Sequence, residues 1–182
     1  RSVYTGTRAD RKRALDTEDI QKVFTKLPQS SAVTSDMRRT QELFVLMFLL
    51  RGLPFVDLAY LRKSDLRDHV ITYRRRKTGR SLSVTVTPEA MAILKKYISR
   101  DDTSPYLFPL LKSGEGTKEA YREYQSALRS FNQQLMLLGE WLALNDRLSS
   151  YTARHTWATT AYHCEIHPGI ISEAMGHSSI TV

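Results

Sequence analysis

The chain has 182 residues, of which 41% are hydrophobic and 9% aromatic, enough for one domain with its own core and too many for a disordered chain. Its 27 Lys and Arg residues exceed its 19 acidic residues, giving a net charge of +8. This excess favours a polyanionic partner, because each contacted phosphate releases condensed counterions, although a generic basic surface gives the same charge. The longest apolar run, residues 43–50, is too short to cross a bilayer. Without a signal peptide, and with Cys164 as the single cysteine, we expect a cytoplasmic protein that does not contact a membrane.

The first third of the chain predicts a basic segment followed by three helices. Residues 1–13 are polar and basic and are typical of a linker. Asp16 or Thr17 is a good N-cap, and Gly52 with Pro54 ends the second helix. The apolar spacing predicts helices over 17–27, 34–50 and 55–61.

Two strands are predicted in the middle of the chain, over 70–76 and 81–86. The second alternates, with Leu82, Val84 and Val86 on one face. Between the strands lies the tetrapeptide Lys-Thr-Gly-Arg at 77–80, which predicts a tight turn.

The second half of the chain predicts helices again. Pro88 suits the first turn of a helix that reaches residue 99, and residues 101–117 form a loop. Further helices are predicted over 118–138, 151–163 and 168–175, with an irregular segment at 139–148. The predicted fold is therefore mainly α with a small antiparallel β-hairpin.

Three short motifs contain the chemical information: K-T-G at 77–79, A-R-H-T at 153–156 and M-G-H-S-S at 175–179. Each is weak alone, but their order and spacing resemble the catalytic domain of the tyrosine recombinases, the phage-integrase family. The resemblance covers residues 14–182. It implies that residues 1–13 link this domain to an upstream DNA-binding domain. It also places the attacking tyrosine near position 186, beyond Val182, so we expect this fragment to be inactive.

The resemblance implies an enzyme that cuts and rejoins double-stranded DNA through a 3′-phosphotyrosyl link, in integration, excision or inversion. It implies a monomer when free, a homotetramer on DNA, and neither a cofactor nor a metal ion. Planar guanidinium donors suit the charge that develops on the phosphate, and a general acid must protonate the leaving oxygen.

Family roles fall on three cations of this chain. Arg154 matches the phosphate-binding arginine of the family, and His177 matches the residue that hydrogen-bonds the scissile phosphate. Lys77 lies where the family places its general acid. Each also has a structural explanation, as a surface arginine, a residue at a helix C-terminus and a solvated turn lysine.

Two positions depart from the family pattern. Tyr151 stands three residues before Arg154, where a histidine base is usual, although tyrosine can still hydrogen-bond a phosphate. Pro54 stands where the first arginine belongs, a departure similar to that of a mobile-element subgroup in which this arginine is displaced. We expect Arg51 to reach the phosphate instead, and Asp57 to support the arginines from behind.

A basic cluster surrounds the turn lysine. We expect its members to follow the DNA backbone without reading sequence. They are Arg74, Arg75, Arg76 and Arg80.

Two other interpretations remain open at this point. A degenerate recombinase fold that binds DNA without cutting it is consistent with Pro54 and Tyr151. A metal-dependent nuclease would use His163 and His167, whose spacing suits one helix face, but Pro168 and Gly169 predict that the helix ends there. Trp141 and Trp157 are expected in the core.

Overall fold

A computed structural model describes residues 14–177 of the chain. Over this range it contains a three-residue 3-10 helix, Lys63–Asp65, and three strands: β1 Leu66–Arg67, β2 Val70–Arg74 and β3 Ser81–Thr85. The α-helices are α1 Thr17–Phe24, α2 Ser35–Leu49, α3 Phe55–Tyr60, α4 Pro88–Tyr97, α5 Lys118–Trp141, α6 Thr152–His163 and α7 Pro168–Ala174. The predicted fold class, mainly α with a small antiparallel sheet, is confirmed. The predicted linker at 1–13 lies outside the described residues.

Side-chain caps fix where the helices begin. The hydroxyl oxygens of Thr34, Thr87 and Thr117 accept hydrogen bonds from backbone amides three residues later. Helix α1 ends at Phe24, three residues before the predicted end, because the backbone of Thr25 is already extended. The side chain of Gln41 stabilises this end by donating to two backbone carbonyls there.

The sheet has the order β1-β2-β3, and both pairs are antiparallel. Strand β2 ends at Arg74, two residues before the predicted end, and the connection to β3 spans residues 75–80. The Arg75 amide donates to the Arg80 carbonyl at 2.8 Å, and Gly79 provides the left-handed backbone (φ 71°). Strand β1 was not predicted, because two residues are too few to show alternation.

Helix α2 is the centre of the core. Its Phe44, Leu46 and Met47 are completely buried, and it contacts helices α4, α5 and α6. This packing brings the C-terminal end of α2 to the start of α6. A Cβ added at Gly52 would lie 2.9 Å from the Cα of Arg154, so only glycine allows this approach.

The two tryptophans differ in their surroundings. Trp157 packs with α6 and α7 residues, whereas Trp141, at the end of α5, is 39% exposed, so its predicted core position is wrong. None of the described helices is both long and apolar enough to cross a membrane.

Candidate functional site

Arg154 lies in the first turn of α6 with a side chain that is almost completely buried. Its Nη1 donates to the Gly52 carbonyl at 3.0 Å, and its Nη2 donates to the Met175 carbonyl at 2.8 Å. The guanidinium thus joins the end of α2 to the end of α7. Burial, and next the charge of Arg75, lower the pKa of Arg154 to about 10, so it remains a cation at neutral pH.

The β2–β3 connection docks on the C-terminal end of α7 through three consecutive backbone carbonyls. Arg75 Nη1 donates to residue 175 at 3.0 Å, Thr78 Oγ1 to residue 176 at 2.9 Å, and Arg80 Nη1 to residue 177 at 2.5 Å. A Cβ on Gly176 would lie 2.7 Å from a Leu82 methyl carbon and 2.9 Å from Arg75 Cγ. The turn that contains Lys77 is therefore held against His177.

A buried carboxylate lies behind this joint. Asp57 on α3 is 3% exposed, and its Oδ2 lies 3.2 Å from Nε of Arg75. Its Oδ1 accepts from the Arg76 amide at 2.9 Å. Burial raises the pKa of Asp57, while the amide of Arg76 and the nearby arginines act in the opposite direction. Asp57 thus lies where it was expected, next to the arginine cluster.

His177 lies at the mouth of this cluster. Its Nδ1 is 3.2 Å from the Ser172 hydroxyl, and its pKa is lowered first by burial and then by the charges of Arg154, Arg75 and Lys77. Thr78, next to Lys77, donates to the Gly176 carbonyl, and Arg154 donates to the Met175 carbonyl. Lys77, Arg154 and His177 therefore lie around the end of α7, although they are distant along the chain.

Arg51 and Tyr151 lie at the edge of the cluster. Arg51 follows α2 with a left-handed backbone (φ 59°) and an exposed side chain. Burial raises the pKa of Tyr73, and the charge of Arg51 is among the arginine charges that oppose this rise. Tyr151 is the N-cap residue of α6 and is 63% exposed.

The four arginines around Lys77 do not form one surface. Arg74 and Arg80 are exposed, while Arg76 lies 3.6 Å above the Tyr60 ring and its Nη1 contacts Glu115 at 2.6 Å. Arg75, in contrast, is only 5% exposed and points inward. This placement differs from the surface position expected for it.

The inward positions of Arg75 and Tyr73 were not predicted, although the sequence of β2 contains a signal for them. Ile71 and Tyr73 are the buried residues of β2, and Arg75 continues the same two-residue period. The run of arginines from 74 to 76 hid this alternation.

The proposed histidine pair does not form a metal site in the structure. His163 ends α6, while His167 caps α7 and its Nδ1 accepts from the Gly169 amide at 3.0 Å. Among residues 14–177, no three His, Cys, Asp or Glu side chains lie close enough together to hold a metal ion.

Comparisons with known proteins agree with this geometry. A family model described as "Phage integrase family" matches residues 13–182. The tyrosine recombinase XerA of Pyrococcus furiosus is 22% identical over 172 residues, which make up 93% of this chain and 54% of that protein.

Two solved structures share the fold. A crystal structure of XerA recombinase matches with a TM-score of 0.63 and 20% identity, over 91% of this chain and 56% of that one. The Tn1549 transposon integrase in complex with a circular intermediate DNA matches with a TM-score of 0.61 and 17% identity, over 93% and 59%. The chain therefore spans about half the length of the relatives that it matches.

Proposed function

Because the chain belongs to the phage integrase family, we propose that it is the catalytic domain of a site-specific DNA recombinase that cuts and rejoins DNA through a 3′-phosphotyrosyl link. The observation that supports this proposal is the convergence of Lys77, Arg154 and His177 at the joint between the hairpin and α7. A phosphate that enters this cluster meets donors already fixed by the fold, which is the arrangement that stabilises a charged transition state.

Each of these three residues has a proposed task. Arg154 hydrogen-bonds the non-bridging phosphate oxygens, for which a planar guanidinium is well suited. Lys77 protonates the leaving oxygen, and its exposed position on a turn allows contact with DNA. His177 donates a further hydrogen bond to the phosphate.

The edge residues have supporting tasks. Tyr151 hydrogen-bonds the phosphate in place of the family histidine, and Arg51 reaches it from the end of α2. Asp57 holds the arginines in place. The attacking tyrosine is expected near position 186.

Double-stranded DNA is the proposed partner, and a homotetramer on DNA is the proposed assembly. The net charge of +8 and the exposed Arg74 and Arg80 beside Lys77 support DNA binding. Two similar structures are DNA complexes: the Tn1549 integrase with a circular intermediate, and a lambda integrase dimer bound to a core site. We also propose that the protein is the integrase of a mobile element.

A second candidate is a degenerate member of the family that binds DNA without cutting it. Pro54 at the position of the first arginine and Tyr151 at the position of the histidine base favour this alternative. The two candidates differ in a single observable, a covalent bond between protein and DNA.

The test uses protein that includes position 186 and a library of nicked duplexes with randomised sequence. Cleavage next to the nick releases a short fragment and traps the covalent adduct, which is isolated on a denaturing gel and sequenced. We expect an adduct that is insensitive to chelator. Arg154→Lys should reduce its rate by about 10²–10³-fold while DNA binding changes little, as for a contact made in the transition state.

Tyr151→Phe removes one hydroxyl from an exposed ring of the same site. It should slow adduct formation without abolishing it, because Tyr151 is proposed to hydrogen-bond the phosphate rather than to attack it, and complete loss of the adduct would point to Tyr151 as the nucleophile. DNA binding without any adduct would select the degenerate alternative, and cleavage abolished by chelator would select a metal-dependent nuclease.

A further inference from the structure

Arg75 and Arg154 form a pair of buried guanidinium groups in the site. Both donate to the same acceptor, the Met175 carbonyl, at 3.0 Å and 2.8 Å. Their residues are only 5% and 8% exposed, and the charge of Arg75 lowers the pKa of Arg154. The two cations are therefore close neighbours in a region that excludes most water.

The charge of this pair is only partly neutralised. Within residues 14–177, Asp57 is the carboxylate in ion-pair contact with Arg75, and it makes no such contact with Arg154. Two cations and one anion leave an excess of positive charge, and like charges repel strongly where water is excluded. An anion that bound here would remove this repulsion.

Arg75 also has unused hydrogen-bonding capacity. Its Nε lies 3.2 Å from Asp57 Oδ2, but the two atoms are not aligned for a hydrogen bond. Among the described residues, no acceptor contacts its Nη2. The guanidinium therefore retains donors for a ligand after its contact with the Met175 carbonyl.

The position of Arg75 relative to Asp57 explains how the site can lack an arginine at position 54. On α3, Asp57 follows Pro54 by three residues, and the carboxylate points to a guanidinium that enters from the hairpin rather than from α3. Arg51 is exposed at the edge, whereas Arg75 lies beside Arg154. The hairpin thus provides the second guanidinium that α3 lacks.

We propose that Arg75 is a catalytic residue that contacts the scissile phosphate together with Arg154, in the role that an arginine at position 54 would have. This inference rests on the proposed function. It moves the second phosphate contact from Arg51 to the hairpin, where Lys77 is only two residues away. The β2–β3 hairpin then supplies both the guanidinium that neutralises the phosphate and the lysine that acts as general acid.

The variants must separate a phosphate contact from a structural ion pair. Removing Arg75 alone would leave Asp57 buried and unpaired, which destabilises the fold. The double variant Asp57→Asn with Arg75→Met removes both charges and keeps an oxygen for the Arg76 amide. Arg100→Met, at an exposed arginine outside the proposed site, is the matched control, and thermal unfolding of each variant verifies the fold.

The first measurement requires no cleavage. The melting temperature of the 182-residue chain is compared in sodium phosphate and in sodium chloride of equal ionic strength, because a ligand stabilises the folded state that binds it. We expect a phosphate-dependent rise in the wild type and in Arg100→Met, and no rise in the double variant. A rise that persists in the double variant overturns the proposal.

The second measurement uses the trapped adduct and a neutral substrate. The double variant should form the adduct at least about 10²-fold more slowly than the wild type. A duplex with an uncharged methylphosphonate at the cleaved position should restore at least a tenth of the wild-type rate, because neutralising the phosphate is then unnecessary. Adduct formation at the wild-type rate, or a loss that the neutral substrate does not restore, assigns Arg75 a structural role.

Failure of the proposed function gives a different result. If the wild type forms no adduct on any duplex, recombination is refuted and the catalytic role of Arg75 with it. A phosphate-dependent rise that is still specific to Arg75 would then show a DNA-binding site without cleavage.

Discussion

Gly52 provides a direct test of how the site is assembled. Its backbone is left-handed (φ 69°), and an added Cβ would lie 2.9 Å from Arg154 Cα and 3.3 Å from Arg154 Cγ. Left-handed backbone costs an alanine roughly 1–2 kcal/mol relative to glycine. Forcing a carbon atom into a packed region costs about 1–3 kcal/mol more. We therefore expect Gly52→Ala to lower the free energy of unfolding by about 2–5 kcal/mol.

Gly116 is the matched control. It has a comparable backbone (φ 85°), but an added Cβ would meet nothing within 4 Å. Gly116→Ala should therefore cost only the backbone term, about 1–2 kcal/mol. Urea unfolding of both variants and the wild type measures the difference from the transition midpoints. If the two variants are equally stable to within about 0.5 kcal/mol, the close approach of α2 and α6 does not exist as described.

Two further predictions concern charge. The pKa of His177, measured by NMR, should lie below 6.5. It should rise in Lys77→Met, because that variant lacks one of the cations that lower it. An unchanged pKa would show that Lys77 does not lie near His177. Because its folded pKa is below the unfolded value, protonation favours unfolding, and the contribution of His177 to stability is lost as pH falls from 6.5 through the folded pKa. Glu115→Gln should cost no more than about 1 kcal/mol of stability, because the ion pairs of Glu115 with Arg62 and Arg76 are exposed. Because the variant leaves both arginines without this carboxylate, it should bind duplex DNA more tightly, as measured by fluorescence anisotropy. Unchanged affinity would place these two arginines away from the DNA.

The helices and their boundaries were predictable where a local signal existed. Helical apolar periodicity predicted α2, and Pro88 in the first turn predicted α4, because both signals depend on neighbours along the chain. The short strand β1 was not predictable, since Asp68 and His69 adopt the left-handed turn without a glycine. The end of α1 was predicted too late, because a side chain of α2 determines it.

For the site, motif spacing predicted Lys77, Arg154 and His177, and the structure places these residues around the end of α7. The same spacing did not predict the buried position of Arg75. That position depends on the alternation of β2 and on a carboxylate 18 residues earlier, and neither is visible in a short motif. Tertiary contacts, rather than local sequence, decide that point.

The hairpin binds α7 through main-chain oxygens, which all residue types possess. The side chain at 177 can therefore change without loosening this joint, whereas Gly176 has no such freedom, since any Cβ there would collide with the hairpin. The side chain at position 177 can thus be replaced without moving the hairpin turn that contains Lys77. A tryptophan at 177 would leave Lys77 where it is.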